Sequence, residues 1–336
     1  MKTKMLFIYN ANAGKGKIKA YLSDVMEKFC RADYDVTIYA TGASGEARDL
    51  VMERGEEFEV IVCSGGDGTI NEVLGGVTRL TRKPKVGYLP TGTVNDFASS
   101  LQIPKDPMEA TDLILKGHTY SCDVGKFQDQ HFNYIAGFGA FTEVAYETSQ
   151  DLKNALGKTA YFVDAIGRLS DLRGYEMHIE CDDGRVVDGN YIFGMIANTK
   201  SVGGFPLEGP NTRGMDLDDG LFEMVMVTNP QTPIELERVL VALMNRDTNS
   251  PSLDTKRVRA VKITCDEEVR WTLDGEDGGY HKEVDIQCLH LAVDIFSPVL
   301  NRSEIDEIRA IEKANERAAM EAARETIAQG KAPEEL

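Results

Sequence analysis

Val60-Ile61-Val62-Cys63-Ser64-Gly65-Gly66-Asp67-Gly68-Thr69-Ile70-Asn71-Glu72-Val73 is the stretch whose reading decides the fold. A short apolar run, Val60–Cys63, reads as a buried strand; a glycine-rich turn follows, and Ile70–Leu80 continues as a helix. At such a junction glycines let the backbone approach a phosphate, while free N–H groups and the positive helix end attract the anion. Two isolated glycines would be read as a packing turn. Asp67 tips the balance, because a carboxylate in a loop suited to anions makes sense if it holds a divalent cation or orients a substrate hydroxyl.

The same alternation extends outward. Met5–Tyr9, Val36–Ala40 and Val86–Leu89 read as further buried strands, and Lys17–Cys30, Gly45–Arg54 and Pro107–Leu115 as helices. This order specifies a parallel sheet covered on both faces. Two more loops leave strand ends where open α/β sheets bind ligands: Pro90-Thr91-Gly92-Thr93-Val94-Asn95-Asp96-Phe97-Ala98 and Asn10-Ala11-Asn12-Ala13-Gly14-Lys15-Gly16-Lys17. The latter lacks the spacing of a Walker A loop and alone would pass for a solvated turn. Thr41, after the second strand, adds a polar contact.

From about Thr119 the texture becomes period-two: Tyr175–Cys181, Tyr191–Asn198, Leu221–Val227, Val258–Cys265, Val269–Leu273 and Val284–Ala292. Turns at Asp182-Asp183-Gly184 and Asp277-Gly278-Gly279 separate some of them, the pattern of an antiparallel sandwich. Ala155–Leu172 and Pro233–Met244 read as helical insertions, and Glu304–Gln329 as a helix by propensity. The expected fold is a doubly wound α/β nucleotide-binding domain (1–120) followed by a β-sandwich domain (121–300). The C-terminal helix 301–329 is expected to join the first domain, with 330–336 a polar tail.

The chain has 336 residues, 42% hydrophobic and 27% charged, with a net charge of -18, enough material for two cores without disulfide or metal staples. Residues 1–120 are balanced (15 Lys+Arg, 16 Asp+Glu), whereas 121–300 carry 16 against 30. That balance excludes nonspecific nucleic-acid binding, which depends on basic residues. The six cysteines are widely spaced, without a Cys-x-x-Cys pair, and read as buried thiols. No apolar run approaches the ~20 residues of a membrane-spanning helix. The expected location is cytoplasmic with transient membrane contact, for which Arg79, Arg82, Lys83 and Lys85 form a local basic patch. A homodimer is left open.

Gly65–Val73 followed by Pro90–Ala98 resembles the diacylglycerol kinase catalytic-domain family, particularly its soluble bacterial lipid kinases. The glycine loop alone is shared with NAD kinases and phosphofructokinases. The immediate Asn71-Glu72 and the downstream Asn95-Asp96-Phe97-Ala98 favour the lipid-kinase branch, since an NAD kinase would place its Asn-Glu pair in a later segment. The resemblance extends to about Pro298.

It implies transfer of the γ-phosphate of ATP to a lipid hydroxyl, most simply diacylglycerol giving phosphatidic acid in phospholipid metabolism. It implies ATP against Asn10, Ala11, Asn12, Ala13, Gly14, Thr41, Gly66, Asp67, Gly68, Thr69, Ile70, Asn71, Glu72 and Thr93, with Mg²⁺ near Asp67. Leu273-Asp274-Gly275-Glu276, by itself a hairpin signal, is similar to the family's catalytic motif and makes Glu276 the general base. Asp96 then orients acceptor or metal. A structural magnesium is implied at the acidic turn 216–221, held by the Asp219 side chain and the Asp216 and Leu221 carbonyls. The segment Asn198–Gly204 departs from the family pattern in its Thr-Lys-Ser stretch. An NAD kinase-like enzyme and a non-catalytic nucleotide sensor are the competing readings.

Overall fold

Met5, Leu6, Phe7 and Ile8 are all fully buried, so the first strand is covered on both faces, as a central parallel strand must be. The computed structural model describes residues 2–93, 95–139, 173–198, 201–202, 205–206, 217–245, 250–301 and 304–305. The chain opens β1 (Thr3–Asn10), a 3-10 turn (Ala13–Ala20), α1 (Leu22–Arg31), β2 (Tyr34–Thr41), α2 (Glu46–Arg54), β3 (Val60–Gly65), α3 (Asp67–Val77), β4 (Lys85–Pro90), α4 (Asp96–Ser100) and α5 (Pro107–Lys116). The parallel strands lie in the order β4-β3-β1-β2.

α3 buries Ile70, Val73, Leu74 and Val77, one stripe at helical spacing. Gly76 lets α2 approach, since a Cβ there would lie 2.8 Å from the Val51 side chain. α5 starts where Asp106 accepts the Met108 and Glu109 N–H groups and stops at Gly117 in the left-handed region, as its Asp-Pro and Lys-Gly ends require.

Two expectations change here. The helix read over Lys17–Cys30 divides at Tyr21 into a 3-10 turn and α1. Val36–Ala40 is not a buried strand: β2 is the outer strand of the parallel region, and Ile38 and Tyr39 are exposed on it. An apolar run marks a strand but does not say how many neighbours cover it.

The remainder is β5 (Thr119–Phe127), β6 (Gln130–Phe132), β7 (Ile135–Gly139), β8 (Tyr175–Cys181), β9 (Val186–Ala197), the short pair β10 (Ser201–Val202) and β11 (Phe205–Pro206), β12 (Phe222–Thr228), α6 (Pro233–Asn245), β13 (Leu253–Val258), β14 (Ala260–Leu273) and β15 (Glu276–Phe296). β7 and β8 lie end to end between β9 and β14. The apolar faces of these strands enclose a core around Trp271, Phe127, Phe138 and Phe222.

The antiparallel strands do not form a sheet apart. They join the parallel strands in one 13-stranded sheet through β15, whose first half pairs with β14 and whose end meets β4 at Ile295–Val86. The segments read as separate strands 258–265 and 269–273 fall within one strand, β14, for the most part. Asp277-Gly278-Gly279 lies inside β15 at a register shift; the reversal is made one step earlier, by Asp274-Gly275, with φ of 49° and 90°. Those angles are a type I′ turn, whose twist matches the strands.

Residues 1–298 form one unit by their contacts and 299–336 another. In the second, Asn301 and Glu304 begin a helical turn, with the Asn301 N–H donating to Glu304 Oε2 at 2.6 Å. The rest of the expected C-terminal helix, and the insertion 155–172, lie outside the described residues.

Candidate active site

Strand register gathers the loops. Asn10 is opposite Thr41, Tyr9 opposite Ser64, and Gly65 opposite Pro90, so the carboxyl ends of β1 to β4 finish at one edge. The 10–17, 41–45, 65–69 and 90–95 segments therefore converge there, which their separate positions in the sequence do not require.

The glycines divide by what they touch. A Cβ on Gly14, which has φ of +52°, would lie 1.9 Å from the Thr91 carbonyl oxygen; one on Gly92 would lie 2.5 Å from Gly66 Cα. Gly65 is filled by Thr69, whose Oγ1 would be 2.3 Å from such a Cβ. Gly14 and Gly92 thus let backbone segments close on one another, and Gly65 makes room for the Thr69 side chain. Gly68 is different: the first atom a Cβ there would meet is Glu276 Oε1, at 3.6 Å.

Asp67 heads α3 and joins the two main loops. Its Oδ2 accepts the Asn95 N–H at 2.9 Å and its Oδ1 the Phe97 N–H at 3.4 Å, tying down the start of α4. Asn95 is buried with φ of +57°, a conformation Asn tolerates better than most residues. Its Oδ1 accepts from Gly92 N at 3.1 Å and from Tyr88 Oη at 3.1 Å, and its Nδ2 donates to the Gly92 carbonyl at 2.9 Å. Burial, then the Asp67 charge, raises the Tyr88 phenol well above its ordinary value, so it stays a donor. The side chain of Asp96 lies outside the described atoms.

Other candidate binding residues are more structural than their motif suggested. Glu72 caps α2, its carboxylate accepting the Gly45 N–H at 2.7 Å and the Ala47 N–H at 3.1 Å. Ile70 is in the core, and Thr69 and Thr41 are largely buried, with Thr41 Oγ1 donating to Tyr9 O at 3.4 Å. Asn12 and Thr93 are exposed, while Ala11, Ala13, Gly66 and Asn71 are half-buried at the same edge. Asn10 Oδ1 accepts the Asn12 N–H at 2.9 Å, shaping the first loop.

Glu276 starts β15 with an exposed side chain, opposite Leu273. Asp274 is 7% exposed. Burial pushes its pKa up to about 7, against the pull of three backbone N–H donors, and the Asp67 charge adds to the rise.

In the acidic turn the described residues show the partners of Asp219. Asp219 Oδ1 accepts the Leu221 N–H at 3.0 Å, and its other oxygen is paired with the Arg257 guanidinium. Arg257 also meets Glu223 at 3.0 Å. Asp216 lies outside the described residues, and among those described no cluster of three His, Cys, Asp or Glu side chains is arranged to hold a metal.

Sequence reading did not single out Asp123. It is 1% exposed, with its carboxylate accepting the Gly220 N–H at 2.6 Å, the Leu291 N–H at 2.7 Å and a bond from His290 Nδ1 at 2.9 Å. A lone Asp in an apolar strand, Tyr120–Val124, is the only signal that could have marked it. The basic patch also looks different in place. Arg79 and Arg82 donate to backbone carbonyls, Lys83 to Ala292 O at 2.8 Å, and Lys85 begins β4, at the far end from the gathered loops.

The diacylglycerol kinase catalytic domain model matches residues 4–127, which span the parallel region and its loops. The chain is 32% identical over 317 residues to the diacylglycerol kinase of Staphylococcus aureus (strain MRSA252), covering 91% of this chain and 98% of that protein. A provisionally assigned diacylglycerol kinase from Bacillus anthracis str. Sterne superposes with a TM-score of 0.71 at 26% identity, covering 88% of this chain and 95% of that one. A second structure, of a diacylglycerol kinase from the same organism, shares the fold with a TM-score of 0.67 at 23% identity, covering 88% and 97%. Gathered loops, glycine cradle and full-length relatedness agree: the chain belongs to the diacylglycerol kinase catalytic-domain family.

Proposed function

We propose that the protein is an ATP-dependent lipid kinase that phosphorylates the free hydroxyl of diacylglycerol. The observation that carries this reading is the Glu276 carboxylate beside Gly68, in the first turn of α3. A phosphate drawn to that helix start by backbone N–H groups lies within reach of a carboxylate able to take a hydroxyl proton.

The loops 10–14, 41–45, 66–72 and 92–93 cradle the nucleotide, and Asp67 keeps two of them in register through Asn95 and Phe97. Asp67 and Asp96 would hold Mg²⁺, which would neutralise charge on the transferred phosphoryl group. Glu276 accepts the proton of the lipid hydroxyl as its oxygen bonds to phosphorus and ADP departs. Positioning and electrostatics supply most of the rate in such transfers. Asp219, with the carbonyls of Asp216 and Leu221, is kept as a structural cation site beside Arg257.

The test is one assay with three arms: ATP and Mg²⁺ with diacylglycerol in mixed micelles, with NAD, and with no acceptor. Labelled phosphatidic acid is the expected product. ATP turnover that depends on NAD overturns the lipid assignment.

A further inference from the structure

The turn that carries Glu276 is gripped by a carboxylate outside the proton transfer itself. Asp274 Oδ2 accepts the Asn133 N–H at 2.6 Å, and its Oδ1 accepts those of Tyr134 at 3.0 Å and Ile135 at 2.9 Å. The Asp274 N–H donates to Ile135 O at 2.8 Å, and its carbonyl accepts the Tyr134 hydroxyl at 3.1 Å. One residue is thus bonded to three consecutive residues of another segment.

That segment is itself fixed. Asn198, 3% exposed, donates from its backbone to Tyr134 O at 2.8 Å and from Nδ2 to Asn133 O at 3.3 Å. Ile135 then enters β7, which pairs with β14 at Ala136–Leu273.

An Asp-Gly hairpin needs none of this, for a type I′ turn forms on backbone conformation and an acidic side chain there is ordinarily solvated. Burying the carboxylate has a desolvation cost that the turn does not require. What the clasp adds is a fixed tip, and two residues beyond it Glu276 faces Gly68. We propose that Asp274 is the positioning residue for Glu276, its carboxylate clasped by Asn133–Ile135 so that the Glu276 carboxylate is held over the start of α3.

The inference rests on Glu276 being the base, and the test separates the two. Asp274→Asn is the informative variant, because Asn tolerates the positive φ but turns an N–H donor toward the Asn133 N–H. With ATP and diacylglycerol micelles, kcat falls about 10²-fold while KM for ATP stays within about twofold. The emission of Trp271, the only tryptophan, stays near wild type, whereas the melting temperature falls because the buried Asn133 N–H loses its acceptor. The double variant Asp274→Asn/Glu276→Gln is no slower than Glu276→Gln, since the first acts through the second.

An Asp274→Asn enzyme with kcat within about threefold of wild type overturns the inference. So does a double variant slowed by the same factor again, which marks an independent structural effect. If Asp274→Asn does not fold, Tyr134→Phe, which removes only the hydroxyl bond to the Asp274 carbonyl, must lower kcat; an unchanged kcat overturns the proposal. Full turnover by Glu276→Gln instead removes the base, and with it the lipid-kinase mechanism proposed above.

Discussion

Glu276 Oε1 lies 3.6 Å from where a Cβ of Gly68 would stand, although one residue opens the longest antiparallel strand and the other sits in the first turn of the nucleotide-side helix. β15 accounts for the meeting. It begins at Glu276 beside β14 and ends beside β4, so one continuous strand spans from the candidate base to the parallel sheet. A base on a rigid strand is held more closely than one on a free loop.

Replacing Glu276 by Gln keeps size and hydrogen bonding while removing the proton acceptor. Phosphatidic acid formation should fall by about 10²–10⁴-fold, with the melting temperature unchanged because the side chain is exposed. Initial rates and a thermal melt on the same preparation check this.

Asp67→Ala should fail in both respects. It abolishes lipid phosphorylation and also leaves the Asn95 and Phe97 N–H groups without their acceptor, at a cost of about 1–3 kcal/mol. A denaturant titration reads the second effect without any substrate.

Gly68→Ala and Gly92→Ala should differ sharply. The first meets only the end of the Glu276 side chain at ordinary contact distance, whereas the second places a Cβ 2.5 Å from Gly66 Cα and must part the two loops. The melting temperature, read without nucleotide, should hold in the first and fall in the second.

A cation bound at the acidic turn would compete with Arg257 for Asp219. Mg²⁺ should raise the melting temperature of the wild type, and more so in Arg257→Met; Asp219→Ala should remove the response. An Asp219→Ala protein that still gains stability from Mg²⁺ sinks the assignment.

His131 gives a pH signature. Burial, followed by the charges of Arg79 and Lys126, lowers its pKa from 6.5 to about 4. Between those values the unfolded chain binds more protons than the native one, so stability is present above the unfolded value and is lost as pH falls through the window. Melting temperatures at pH 7 and 5 should converge in His131→Gln relative to wild type.

Within a single stretch, local chemistry is legible directly. The strand–glycine–helix unit at 60–77, the Asp106-Pro107 start and Gly117 stop of α5, and the Asp-Gly reversal before Glu276 follow from conformational preference and hydrogen bonding between near neighbours. Depth is not: Val36–Ala40 has the composition of a buried strand, yet β2 lies on the outside, because coverage depends on which elements stand beside it.

The sequence by itself determined the α/β start of the chain and the family, and singled out candidate acids, since those rest on residue types at short spacing. Only the tertiary structure decided what each does: Glu72 capping α2, Asp67 bridging two loops, Asp219 turned to Arg257 and Asp274 clasped by Asn133–Ile135. A carboxylate's partners are fixed by which donors the fold brings within about 3 Å, and those donors come from strands remote in the chain.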